Sequence, residues 1–214
     1  ESFLDGETLT TDTFYRWLKE RSDIPKTSQP SAGAFIDFFK AVAEKYDTDT
    51  ILGVFISAEM SGTLLSATQA KAQLPELNIE LFDSRSVSMG LGLQVLVAAR
   101  AAEEGMTLEE TQARVRQCYE DLNVVFAVDT LEFLHRGGRI GGAARLLGSA
   151  LNLKPVLTIE SGRVEPLEKV RSRRRSLRRM IQIAEERLDG QQPTELAIME
   201  AEAEADLDWV RDMV

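Results

Sequence analysis

Ile51-Leu52-Gly53-Val54-Phe55-Ile56 is an unbroken apolar run with β-branched residues, and Ile79-Glu80-Leu81-Phe82 is a second short strand-like segment downstream. A continuous run, unlike an alternating one, fits a strand covered on both faces, as in parallel sheets. Between the two, Ser57-Ala58-Glu59-Met60-Ser61-Gly62-Thr63 turns the chain into a helix ending near Leu74-Pro75. After the second, Asp83-Ser84-Arg85-Ser86 leads into a long helix through about residue 104. Strand, helix, strand, helix in this order implies a parallel sheet with right-handed crossovers, and so an α/β fold.

Upstream, residues 11–20 read as a short helix with Phe14, Trp17 and Leu18 on one face, and Phe35, Phe38, Phe39 and Val42 fall at helical spacing over 32–46. Downstream, Thr107-Leu108-Glu109-Glu110 is a capping box for a helix to about Leu122, followed by a strand at Val124–Val128. A Gly-rich loop then leads to a helix over about 142–151. Strands at Pro155–Ile159 and Val164–Val170 flank Ser161-Gly162, a hairpin signal; a helix over 172–188 and a last strand at Glu195–Met199 complete the chain. Hairpins in place of crossovers predict a second, mostly antiparallel layer. The expected organisation is an N-terminal parallel, Rossmann-like domain over 1–86 and a second α/β domain over 87–214.

Composition narrows the function classes. The 214 residues carry a net charge of −10, which disfavours general nucleic-acid binding. No run approaches the roughly 18–20 apolar residues of a membrane span, and Glu1-Ser2-Phe3-Leu4 has no basic or apolar leader character, so a soluble, cytoplasmic protein without integral membrane association is expected. The single cysteine, Cys118, cannot form an internal disulfide, and with the single histidine, His135, it cannot build an ordinary zinc site. No cofactor or metal is expected. The opening reads as a turn without an initiator Met, so residues are expected to be missing before Glu1 and at the C-terminus.

Three hydroxyl-rich loops sit at strand ends or helix starts, where unpaired N–H groups and the helix dipole favour an anion: Thr27-Ser28-Gln29-Pro30-Ser31, Ser57 through Thr63, and Asp83-Ser84. Together they point to a carboxylate or phosphate site. A serine nucleophile would need a base, and His135 in Phe133-Leu134-His135-Arg136-Gly137 reads as a satisfied or solvent-facing histidine. Cys118, between Val115 and Leu122, reads as a core residue. Arg136-Gly137-Gly138-Arg139-Ile140-Gly141-Gly142 lacks the phosphate-loop ending and spacing, but leaves Arg136 and Arg139 available to an anionic ligand or partner. Arg171-Ser172-Arg173-Arg174-Arg175-Ser176-Leu177-Arg178-Arg179 would project cations over most of a helix. With the acidic segment Glu200–Asp208 to neutralise it, the stretch reads as a solvated or partner-docking face.

These loops, with Asp83-Ser84-Arg85-Ser86-Val87-Ser88-Met89-Gly90-Leu91-Gly92, Asp129-Thr130-Leu131-Glu132-Phe133-Leu134-His135-Arg136-Gly137-Gly138-Arg139-Ile140, Leu151-Asn152-Leu153-Lys154-Pro155 and Val170-Arg171, resemble the DegV family in order and across nearly the whole chain. The resemblance implies two α/β domains of the EDD type with an apolar tunnel between them for a long-chain fatty acid. It implies a non-enzymatic subunit that presents the carboxylate to a separate fatty-acid kinase, which makes an acyl phosphate for phospholipid synthesis in bacteria. It places Thr27, Ser28, Ser57, Ser61, Gly62 and Thr63 at the ligand, and Arg136, Arg139 and Arg171 serve as candidate docking residues for the kinase. The chain departs from the family pattern at Ala58 and Glu59, where a second serine and a small residue are usual. The alternative reading is an enzyme using the same loops on a small phosphorylated metabolite, favoured by a small polar pocket near Arg136 and Arg139.

Overall fold

The computed structural model describes residues 3–4, 7–20, 25–148 and 153–214. Its elements, in chain order, are α1 (Thr11–Glu20), α2 (Ala32–Tyr46), β1 (Thr50–Phe55), α3 (Thr63–Lys71), β2 (Asn78–Asp83), α4 (Ser88–Glu103), α5 (Leu108–Asp121), β3 (Val125–Ala127), α6 (Glu132–Arg136), a 3-10 segment (Gly141–Leu146), β4 (Val156–Glu160), β5 (Arg163–Glu168), α7 (Arg173–Leu188) and α8 (Glu204–Arg211). They belong to two compact units, Glu1–Ser28 with Ile198–Val214, and Gln29–Ala197. The smaller unit holds α1 and α8. In it Lys19 pairs with Glu202 at 2.7 Å, Phe3 meets Trp17 edge-on at 5.4 Å, and Val210 is buried.

The larger unit contains both sheets. β1 and β2 run parallel with Ile51 opposite Ile79, and β3, β4 and β5 form an antiparallel sheet in that order. This is the α/β combination of one parallel and one antiparallel sheet that the sequence predicts. Beside the parallel pair, Phe39 (1% exposed) packs with Ile51, Ala67, Ala70, Leu74 and Ile79. Phe35, one turn before it, stacks on Phe39 at 5.8 Å and meets the Phe55 ring edge-on at 5.6 Å. Local signals set the ends of α2 and α5. Ser31 accepts the Ala34 N–H at 3.1 Å to start α2, and Thr107 and Glu110 form the reciprocal capping box of α5.

Several expectations change. β1 is not buried along its length: Ile51 alone is buried, and Leu52 through Ile56 are half-buried. The helix expected over 142–151 is the 3-10 segment Gly141–Leu146, and residues 149–151 lie outside the described residues. Glu195–Met199 is not a strand; all five residues are exposed and irregular. The acidic segment folds in part as α8, and the Gly-rich loop contains α6. Nor do the α7 arginines surround their helix. Ser176, Leu177, Ile181 and Ile183 are buried, Arg173 approaches Asp129 at 3.7 Å, and Arg179 grips Glu168 with Nη2 at 2.6 Å.

The Arg179–Glu168 contact gives a first prediction. Hydrogen bonds from Arg179 hold the Glu168 carboxyl below the usual glutamate range, opposed by desolvation. A depressed folded value means stability that is present above the unfolded value and lost as pH falls through the folded one. Glu168→Gln is therefore expected to lower the urea midpoint at pH 7, with the wild-type advantage shrinking as pH drops below about 4. An advantage of undiminished size at pH 2 would assign the effect to packing.

Candidate functional site

Two loops leave the same end of the parallel sheet, 56–62 after β1 and 84–87 after β2, and backbone bonds fasten them into one body. The Ser57 N–H donates to the Ser86 carbonyl at 2.9 Å and the Ser84 N–H to the Phe55 carbonyl at 3.0 Å. Asp83 reinforces this: its Oδ1 accepts the Arg85 N–H at 2.9 Å and the Ala58 N–H at 3.3 Å. Behind the second loop lies Gln94, fully buried, whose Nε2 donates to the Ser84 and Gly90 carbonyls at 3.1 and 2.9 Å.

The first loop makes one helical turn, with the Met60 and Ser61 N–H groups both donating to the Ser57 carbonyl at 3.1 Å. It then enters α3, whose N-cap Gly62 offers no side-chain cap. The Ser61 and Thr63 hydroxyls lie 2.8 Å apart, and the Thr63 N–H donates to Ser61 Oγ at 3.3 Å. Two half-buried hydroxyls therefore flank the uncapped start of a helix, which is suited to an oxyanion. A Cβ on Gly62 would stand 2.8 Å from Gln29 Nε2, so the first hydroxyl-rich loop reaches the second through Gln29.

Ser57 serves differently from Ser61 and Thr63. It is fully buried, its Oγ donates to the Gly162 carbonyl at 2.7 Å, and it accepts the Glu59 N–H at 3.2 Å. The hydroxyl thus pins the tip of the β4–β5 hairpin onto the loop. Gly162 has φ +81°, and a Cβ on it would lie 2.5 Å from Ser57 Oγ. Beside this pin, Arg163 Nε donates to Glu59 Oε2 at 2.8 Å, and its Nη2 grips the same oxygen. On the other flank Arg139 Nε donates to the Met60 carbonyl at 3.1 Å, and Nη1 donates to the Gly137 carbonyl.

Of the residues singled out in the sequence, Ser57, Ser61, Gly62, Thr63 and Arg139 come together around one loop. Thr27 and Ser28 are exposed and end the first stretch of the smaller unit. Arg136 is exposed on α6 and pairs with Glu132 at 3.0 Å, and Arg171 is exposed just before α7. His135 is exposed, and Cys118 is half-buried on α5, its thiol pushed up by burial and by the Asp121 and Glu195 charges. Among the described residues no three His, Cys, Asp or Glu side chains are grouped to hold a metal ion. Gln94, Glu59 and Arg163 were missed as site residues. Gln94 carried a usable signal, a lone amide inside the apolar Leu91–Val97 stretch of a helix.

Two open clefts adjoin the loop. One, of 360 Å³, is lined by Glu59, Glu160, Ser161, Arg163 and Glu165. The other, of 240 Å³, is lined by Glu59, Met60, Arg139, Arg163 and neighbouring backbone.

Comparison with known proteins gives one answer throughout. The model of the DegV family, described as uncharacterised proteins, matches residues 1–214. A DegV domain-containing protein of Streptomyces coelicolor is 37% identical over 194 residues, 91% of this chain and 68% of that protein. A solved DegV family protein of Thermus thermophilus, described by its fatty acid binding, superposes with a TM-score of 0.81 at 37% identity, covering 86% of this chain and 65% of the other. The fatty acid binding DegV family protein of Streptococcus agalactiae gives a TM-score of 0.87 at 28% identity, covering 97% and 73%. The chain thus spans about two thirds of the length of the relatives it matches.

Proposed function

Since the chain belongs to the DegV family, we propose that it holds a long-chain fatty acid and presents the carboxylate to a separate fatty-acid kinase, catalysing no step itself. The observation that carries this reading is the uncapped start of α3, with the Ser61 and Thr63 hydroxyls 2.8 Å apart, in a chain 37% identical to a relative described by fatty acid binding. The carboxylate would accept from these hydroxyls and from the first N–H groups of α3, leaving an oxygen for phosphoryl transfer. Ser57 would hold the loop in shape. Arg171, with Arg174, Arg175 and Arg178 of the first turns of α7, offers an exposed cationic face for an acidic kinase surface.

Apolar surface supports the tail. Leu52 through Ile56 are half-buried along β1, and Val95 and Leu96 on α4 are 43% and 40% exposed. Each buried methylene contributes about 0.8 kcal/mol, so a chain of about 16 carbons could contribute on the order of 10 kcal/mol. The head group then needs only a few donors.

The polar clefts favour a second reading, an enzyme acting on a small phosphorylated metabolite. One measurement separates the two. Mass spectrometry of an organic extract of the purified protein is expected to give stoichiometric fatty acid, and a protein that is empty and takes up none would leave the metabolite reading. Ser61→Ala with Thr63→Ala is expected to cut retained fatty acid about tenfold or more, the worth of one or two charge-assisted hydrogen bonds, with an unchanged melting temperature.

A further inference from the structure

Glu59 and Arg163 form an ion pair at the loop that the fatty-acid reading assigns to the head group. Arg163 turns Nε and Nη2 toward Glu59 Oε2, and both side chains remain accessible, at 45% for Glu59 and 60% for Arg163. The Ser57–Gly162 hydrogen bond fixes the hairpin tip one residue from Arg163, so the guanidinium is delivered to this place by the fold. Both residues line the 240 Å³ cleft together with Arg139. Arg139 donates to two backbone carbonyls and has no carboxylate partner among the described residues. The cleft therefore contains two guanidinium groups and one carboxylate, and that carboxylate belongs to the chain itself.

Resting on the fatty-acid reading, we propose that Arg163 is a further head-group contact and that Glu59 is its built-in competitor. Glu59 occupies the guanidinium until the carboxylate of the ligand displaces it. The exchange replaces one carboxylate by another on the same donor fork and releases the Glu59 carboxylate, 45% exposed, to solvent. An accessible pair of this kind is weak, and its displacement is easy. Glu59 thereby sets the affinity: with it in place, an entering anion must compete and also meets the negative charge of Glu160 and Glu165 nearby.

The test is titration of the purified chain with the fluorescent fatty acid cis-parinaric acid. Glu59→Gln is expected to tighten binding up to about fivefold, the scale of an accessible ion pair, and Arg163→Met to weaken it about tenfold, the scale of one charge-assisted hydrogen bond. The Glu59→Gln/Arg163→Met double variant should match Arg163→Met alone, since without the guanidinium there is nothing to compete for. Unchanged or weaker binding by Glu59→Gln overturns the proposal while wild-type binding leaves the fatty-acid reading standing. A gain from Glu59→Gln that persists in the double variant also overturns it, because repulsion alone would then explain the effect. Failure of the wild-type chain to bind removes both. Glu59→Ala, which leaves no amide to engage Arg163, repeats the test should the glutamine variant fold poorly.

Discussion

Gly162→Ala is expected to destabilise the protein by about 2–5 kcal/mol and, on the fatty-acid reading, to abolish tight binding with it. Two costs combine. At φ +81° an L-residue carries about 1–2 kcal/mol of left-handed strain. The new Cβ would also lie 2.5 Å from Ser57 Oγ, so the pin must break and leave buried polar groups unpaired, at about 1–3 kcal/mol. Gly105→Ala isolates the first cost, because Gly105 has φ +76° and nothing within 4 Å of its added carbon. Urea unfolding of the two variants should place Gly162→Ala well below Gly105→Ala. Equal midpoints would mean that Ser57 Oγ contributes nothing as a pin.

Phe39→Ala is expected to cost about 3–5 kcal/mol, as for a large aromatic removed from a site that cannot collapse. Phe39 is 1% exposed and its ring contacts both the parallel sheet and α3, which hold the loop. Its neighbour Phe38, 58% exposed, provides the contrast: Phe38→Ala should stay within about 0.5 kcal/mol, the usual range for surface changes. Equal losses at the two positions would show that the cluster beside β1 is not the core described above.

What the sequence disclosed was local. The Thr107–Glu110 capping box, the Ser161-Gly162 hairpin and the positions of the two parallel strands each depend on residues within a few positions, and these formed where they were read. The Ser61 and Thr63 hydroxyls likewise stand at the start of α3, a placement that depends only on the turn after β1. The destination of the Ser57 hydroxyl could not be read, since its acceptor is 105 residues away and is a backbone carbonyl with no side-chain signature. The same applies to Glu59 and Arg163, which are 104 residues apart. Glu195–Met199 failed for the complementary reason: a short apolar run suggests a strand but names no edge to pair with.

The joint at Ser57 has a consequence for cooperativity. It ties the parallel sheet, through the loop after β1, to the antiparallel sheet, through the turn between β4 and β5. Opening either sheet there means unpairing a buried hydroxyl, so the two resist fluctuation together within the larger unit. By thermodynamic linkage, an acyl chain seated at the loop would slow the breathing of strands that it never touches.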